Sequence, residues 1–185
     1  MINNTENFHV ITGGPGAGKT TLLYELNSAG FRTTPEEARR IIKEQIEING
    51  DGLPWKNKEH YAKLMFDESV KTYLRVSSDK ETDIIFFDRG IIDTFCYMNM
   101  ENLPITEEMN KTAYAYRYHR KVFILPPWKE IYENDNERKQ SWEEAVFTFK
   151  KMKETYLKYD YEVIEVPKDN IDNRKKFILD SINWK

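Results

Sequence analysis

One eight-residue run constrains this chain more than any other: Gly13-Gly14-Pro15-Gly16-Ala17-Gly18-Lys19-Thr20. It matches G-x-x-x-x-G-K-[ST] in full. The apolar run Phe8–Thr12 precedes it, and Leu22, Leu23 and Leu26 follow at helical spacing. A buried strand, a glycine turn and an amphipathic helix, in that order, leave few folds open. Glycines let backbone N–H groups wrap an anion without Cβ clashes, and the helix N-terminus adds a favourable dipole. The expectation is a bound nucleotide. Gly13, Gly14, Pro15, Gly16, Ala17 and Gly18 form its phosphate loop, and Lys19, Thr20 and Thr21 open the helix. Lys19 reaches the β- and γ-phosphates, and Thr20 ligates Mg²⁺.

The rest of the chain alternates strand and helix signals. Phe8–Thr12, Phe31–Thr34, Asp83–Asp88, Lys121–Leu125 and Tyr161–Val166 read as buried strands. Segments with helical spacing lie between them, which argues an α/β fold: a parallel sheet with helices on both faces. Gly30 is placed to stop the first helix. Thr34-Pro35-Glu36-Glu37 reads as the start of the second, with Thr34 as N-cap, Pro35 in the first helical position and Glu37 as capping-box partner. A long helix is expected from about Lys58 to Val76, and others near Ile91, after Thr106 and near Asn170. Ser141 and Glu144 form a second capping box ahead of Val146, Phe149, Met152 and Tyr156.

Size and charge narrow the function. A chain of 185 residues is expected to be a single domain, residues 1–185, with no room for an added helical lid domain. The net charge of −3 supplies no basic field for nucleic acid. No guanine-specific Asn/Thr-Lys-x-Asp motif occurs. A single cysteine, Cys96, excludes an internal disulfide and a cysteine-based zinc site. With no signal-peptide pattern and no long apolar run, a cytoplasmic protein away from the membrane is expected. His9, His60 and His119 share no ligand spacing. Trp55, Tyr61, Met65 and Phe66 read more readily as core than as pocket.

What remains fits a small kinase: phosphate loop, acceptor pocket, then an arginine-bearing lid. Asp88 ends the apolar run Ile84–Phe87 and is expected to face Mg²⁺ or its waters. Glu36 is expected to accept the acceptor's proton or orient a water. Arg39, three residues on, shares its face. The lid is expected at about 129–140, with Arg138 first, and Lys139 second, for neutralising the transferring phosphate.

The motifs also carry a resemblance. Ile11–Thr21, Pro35-Glu36-Glu37-Ala38-Arg39, Leu53-Pro54-Trp55-Lys56, Phe86-Phe87-Asp88-Arg89-Gly90, Leu125-Pro126-Pro127-Trp128, Asn136-Glu137-Arg138 and Tyr161–Pro167 together resemble a family of small bacterial AAA-domain ATPases. That family is related to the nicotinamide-riboside kinase-like and thymidylate kinase-like branches of the P-loop NTPases. The resemblance implies a three-layer kinase fold with sheet order 2-3-1-4-5 and ATP binding, GTP remaining open. It implies that Arg89 binds an acceptor oxygen and that Pro167 packs on the base. The expected activity is Mg²⁺-dependent transfer of the ATP γ-phosphoryl group to a small nucleoside- or nucleotide-like acceptor. The rival is a regulatory ATPase or nucleotide switch acting on a protein partner.

Overall fold

The computed structural model describes residues 4–79, 83–131 and 141–184. Five strands form its sheet: β1 (Phe8–Gly13), β2 (Arg32–Thr34), β3 (Ile85–Asp88), β4 (Lys121–Leu125) and β5 (Glu162–Glu165). Their order is β2-β3-β1-β4-β5, and every pairing is parallel. Among the described residues six α-helices lie between strands, α1 (Lys19–Ser28), α2 (Glu37–Glu47), α3 (Lys58–Ser77), α4 (Ile91–Met100), α5 (Glu107–Ala115) and α6 (Trp142–Lys158), and α7 (Ile171–Ser181) follows β5.

Strand alternation sorts the core into two layers. Phe8 and Val10 of β1, with Ile85 and Phe87 of β3, pack under α3, α4 and α6 through Phe66, Phe95 and Tyr156. Ile11, Phe86, Phe123 and Leu125 face the other way, onto Leu22 and Leu26 of α1 and Ile178 of α7. All six residues of β1 are buried, as a central parallel strand requires. Burying a side chain such as Leu22 or Leu26 contributes about 1.5–3 kcal/mol.

Most helix ends follow the local chemistry. Gly30 takes φ 96° after α1, where the Gly30 N–H donates to the Asn27 carbonyl and the Phe31 N–H to Leu26. Ser141 and Glu144 exchange their capping bonds at 3.1 and 2.6 Å. Thr106 and Asn170 cap α5 and α7.

The expected capping box at Thr34 does not form. Thr34 is still in β2, and its hydroxyl accepts from the Asp88 N–H at 3.3 Å. Pro35 precedes the helix, and Glu36 is the N-cap. Glu37 instead accepts from Thr72 Oγ1 at 2.6 Å and from Arg40 Nε at 2.8 Å. Sheet pairing of β2 against β3 has taken the residue that the local motif assigned to the helix.

Register positions the site. Ile11 lies opposite Asp88, and the Arg89 N–H continues the ladder to the Ile11 carbonyl. The phosphate loop leaves β1 two residues later, so Asp88 and Arg89 end directly beside it.

Candidate nucleotide and acceptor site

The phosphate loop joins β1 to α1. Gly18 is the N-cap in a left-handed conformation, φ 81°, and no side chain caps the first turn of α1. That arrangement presents backbone N–H donors to an anion. Gly14, Pro15, Gly16, Ala17, Gly18, Lys19, Thr20 and Thr21 line a cleft of about 900 Å³. Gly13 lies beneath it as the last residue of β1, opposite Leu125.

Lys19 is only 7% exposed, and its ammonium stands 3.8 Å from Asp88 Oδ1. That oxygen is buried and has no hydrogen-bond partner among the described residues. Burial raises the Asp88 pKa, and Lys19 opposes the rise. A buried carboxylate oxygen without a donor, with Thr20 of the first turn of α1 lining the same small pocket as Asp88, is a donor set suited to a hard cation or its waters. The residues present therefore fit Mg²⁺. Among the described residues no cluster of three His, Cys, Asp or Glu side chains forms a metal site, so a bound phosphate would have to complete the shell.

Arg89 sits in a left-handed conformation, φ 71°, which costs a non-glycine residue about 1–2 kcal/mol. The twist sends its guanidinium between two acids. Nε donates to Glu36 at 3.1 Å and Nη1 to Asp93 at 3.3 Å. Burial works against the Arg89 charge, but Glu36, Asp93 and Asp88 outweigh it and raise its pKa. Glu36 is 7% exposed and takes a second arginine, Arg39, at 3.0 Å. Asp93 accepts three further bonds: from the Thr12 hydroxyl, from the Gly90 N–H at 2.8 Å and from the Tyr156 hydroxyl at 2.5 Å.

Behind the loop, Arg174 of α7 is 4% exposed and donates to the Ala17 carbonyl at 3.0 Å. Its guanidinium carbon lies 5.8 Å from the centre of the Trp128 ring. Both side chains line the cleft, with Asn170 and Ile171.

A second cavity, of about 310 Å³, opens between α2, α3, α4 and α6 and ends at Asp88, Arg89 and Pro15. Trp55, Tyr61 and Met65 line it, so these residues serve a pocket as well as the core. Phe66 does not; it stacks on Phe95.

Residues 8–174 match the family described as "AAA domain". The chain belongs to this AAA-domain family. A comparison with curated proteins gives no match. Among solved structures, the AAA-domain protein is similar to deoxyadenosine kinase from M. mycoides, at TM-score 0.63 and 17% identity over 95% of this chain and 98% of that one. It is similar to the NadR protein in complex with NR, at TM-score 0.73 and 23% identity over 97% of this chain. There the chain spans about half of its counterpart, 51%. Thymidylate kinase from Ehrlichia chaffeensis gives TM-score 0.62 and 14% identity over 96% and 98%. The shared architecture is the P-loop nucleoside and nucleotide kinase fold, with the observed strand order and helices on both faces.

The fold thus brings together most of the residues singled out in the sequence. The phosphate loop and Glu36 meet at the cleft, which shares Pro15 with the second cavity; Asp88 and Arg89 line that cavity, Asp88 at 3.8 Å from Lys19 of the cleft. Pro167 is exposed and does not line the cleft; Asp169, Asn170 and Ile171 of the same loop do. Arg138 and Lys139 lie outside the described residues, as do 132–140 of the expected lid. Its first part, Lys129–Ile131, is a 3-10 turn. Sequence reasoning missed Asp93, Tyr156 and Arg174. The signal for Asp93 was its place three residues after Gly90, at the start of α4. Tyr156 and Arg174 left no local signal, since their partners are 63 and 157 residues away.

Proposed function

We propose that this AAA-domain protein is a kinase that moves the γ-phosphoryl group of Mg²⁺-bound ATP to a small nucleoside- or nucleotide-like acceptor. The observation that carries this reading is the close approach of two spaces, one at the phosphate loop and one beside it. The phosphate cleft and the second cavity share Pro15, and Lys19 of the cleft stands 3.8 Å from Asp88 on the cavity lining, where a donor phosphate and an acceptor hydroxyl would come together.

Each residue has a role suited to its surroundings. The loop and Lys19 hold the phosphates, and Thr20 and Asp88 hold the metal or its waters. When bound, Mg²⁺ would draw charge from the phosphate oxygens. Arg89, fixed by Glu36 and Asp93, binds the acceptor oxygen with a guanidinium that cannot swing away. The acceptor oxygen forms a bond to the γ-phosphorus while the bond to the β-phosphate oxygen breaks. ADP leaves with that electron pair, and Glu36 takes the hydroxyl proton. Trp128, Arg174 and, from the loop after β5, Asp169 and Asn170 bound the base side. Arg138 would neutralise the transferring group from the 129–140 segment.

A screen of nucleosides, nucleotides and sugars for ADP release tests this. Acceptor-dependent release above the water rate supports the reading. Turnover that ignores every acceptor and changes on adding a protein partner would replace it with a regulatory ATPase. Base choice is tested alongside with GTP in place of ATP.

A further inference from the structure

We infer that the cavity of about 310 Å³ takes an unphosphorylated nucleoside rather than a nucleoside monophosphate, and that the Tyr97 hydroxyl recognises its base. The inference rests on the kinase reading and narrows its acceptor.

The size is at the low end for ligand pockets, which run from about 300 to 1,000 Å³. The walls are largely carbon and sulphur, from side chains such as Tyr61, Met65, Met100 and Met152. Tyr61 and Tyr97 meet edge to face, 5.4 Å apart at 86°. Trp55, at 61% exposure, stands where the cavity meets solvent. Such walls suit a flat ring.

Charge decides between nucleoside and nucleotide. The ionisable acids on the lining are Glu37, Asp88 and Asp93, and Arg89 is the only lysine or arginine on it among the described residues. Arg89 already lies between Glu36 and Asp93. Arg40, behind Glu37, is itself bound to Glu37, Glu44 and Glu68. An acceptor carrying its own phosphate would bring two further negative charges to an acidic wall with no arginine fork to receive them. A nucleoside brings only a hydroxyl to Arg89.

Among the buried polar atoms of the lining residues, Asp88 Oδ1 faces Lys19, and the Tyr97 hydroxyl is left as an unused donor. The Tyr97 hydroxyl is buried and has no hydrogen-bond partner among the described residues. Burial, with Glu101 nearby, raises its pKa and keeps it a neutral phenol. An unpaired buried hydroxyl is costly, and a ring nitrogen or carbonyl of a base would satisfy it. A buried donor that the ligand must satisfy discriminates strongly against ligands that cannot bond to it.

The test pairs deoxyadenosine, deoxycytidine, thymidine and nicotinamide riboside each with its own 5′-monophosphate. Binding is measured by calorimetry on the full chain without ATP, and turnover by ADP release with Mg²⁺-ATP. The expected result is that at least one nucleoside binds and is phosphorylated at least about 10-fold better than its monophosphate, in kcat/KM. Tyr97→Phe, which keeps the ring against Tyr61, raises the Kd and KM of that nucleoside roughly 10-fold. An unchanged melting temperature shows that the variant is folded. Preference for a monophosphate overturns the inference and leaves the kinase reading standing. Unchanged nucleoside binding in Tyr97→Phe overturns the role of Tyr97. Nucleoside binding without any acceptor-dependent ADP defeats the kinase reading, and the inference as an acceptor site falls with it.

Discussion

The Lys19 ammonium lies 3.8 Å from Asp88 Oδ1, a buried oxygen with no hydrogen bond among the described residues. A pair held at that distance, short of hydrogen-bond contact, is placed to be rearranged by a bound phosphate and its cation. Lys19→Ala should weaken ATP binding by roughly 100-fold, the usual scale for removing one partner of a buried charge pair. Asp88→Asn should keep ATP binding without metal and lose the gain that Mg²⁺ brings. Calorimetry with and without Mg²⁺ separates the two.

The same pair makes a pH prediction for the unliganded protein. Burial raises the Asp88 pKa in the fold, so over that window the native state holds more protons than the unfolded chain. Stability contributed at this site is greatest in acid and falls as pH rises past the usual carboxylate range. Asp88→Asn, which never ionises, should therefore gain on the parent between about pH 4 and pH 7, given the ordinary aspartate pKa of about 3.9. Urea denaturation at both pH values checks it, and a gap that shrinks toward neutrality contradicts it.

Two glycines flank α1 and should fail differently when replaced by alanine. At Gly18 the backbone is left-handed, and an added Cβ would lie 2.8 Å from Arg174 Nη1. The substitution should cost about 1–3 kcal/mol and also displace the guanidinium that holds the Ala17 carbonyl. Thermal stabilisation by ATP should then be lost. Gly30 has a similar backbone, φ 96°, but open space around it. Its alanine variant should lose about 1–2 kcal/mol from backbone strain alone, with ATP binding intact.

Tyr156 reaches the site through Asp93. Tyr156→Phe removes one of four donors to that carboxylate, worth about 1.5–3 kcal/mol for a charged acceptor. Arg89 keeps Glu36 but is held less firmly by Asp93. The expected outcome is a several-fold fall in kcat/KM for the acceptor at an unchanged Kd for ATP. An acceptor constant that does not move would reduce Tyr156 to a purely structural role.

These residues show what the sequence disclosed. The phosphate loop, five strands and most caps are local: each is written within a few neighbouring residues, and β4 matches its expected bounds, Lys121–Leu125. Asp88 was legible because a strand can be recognised and its end follows. Thr34 misled because its hydroxyl bonds to Asp88, 54 residues away, and the sheet prevailed over the cap motif. Arg89 was recognised, but its left-handed backbone and its two carboxylate partners depend on α2 and α4 packing together. Trp55, Tyr61 and Met65 show the same limit, since a helical apolar stripe looks alike whether it faces a core or a cavity.

The strand that feeds the phosphate loop should also give the protein a specific weakness in acid. His9 of β1 is 2% exposed, and its Nδ1 has no hydrogen-bond partner among the described residues. Its ring centre lies 4.4 Å from that of His119, with Phe86 and Phe123 alongside. Burial, then the positive charges of His119 and Lys121, lower its pKa from 6.5 to about 3. The fold therefore holds His9 neutral while the unfolded chain protonates it. Between those two values the unfolded state binds more protons, so stability is full above pH 6.5 and falls as pH drops toward 3. One proton allows a slope of at most about 1.4 kcal/mol per pH unit. His9→Gln should flatten the stability profile between pH 6.5 and 4, measured by urea denaturation at each pH. A variant whose profile runs parallel to that of the parent across this range would show that His9 is not the residue that titrates.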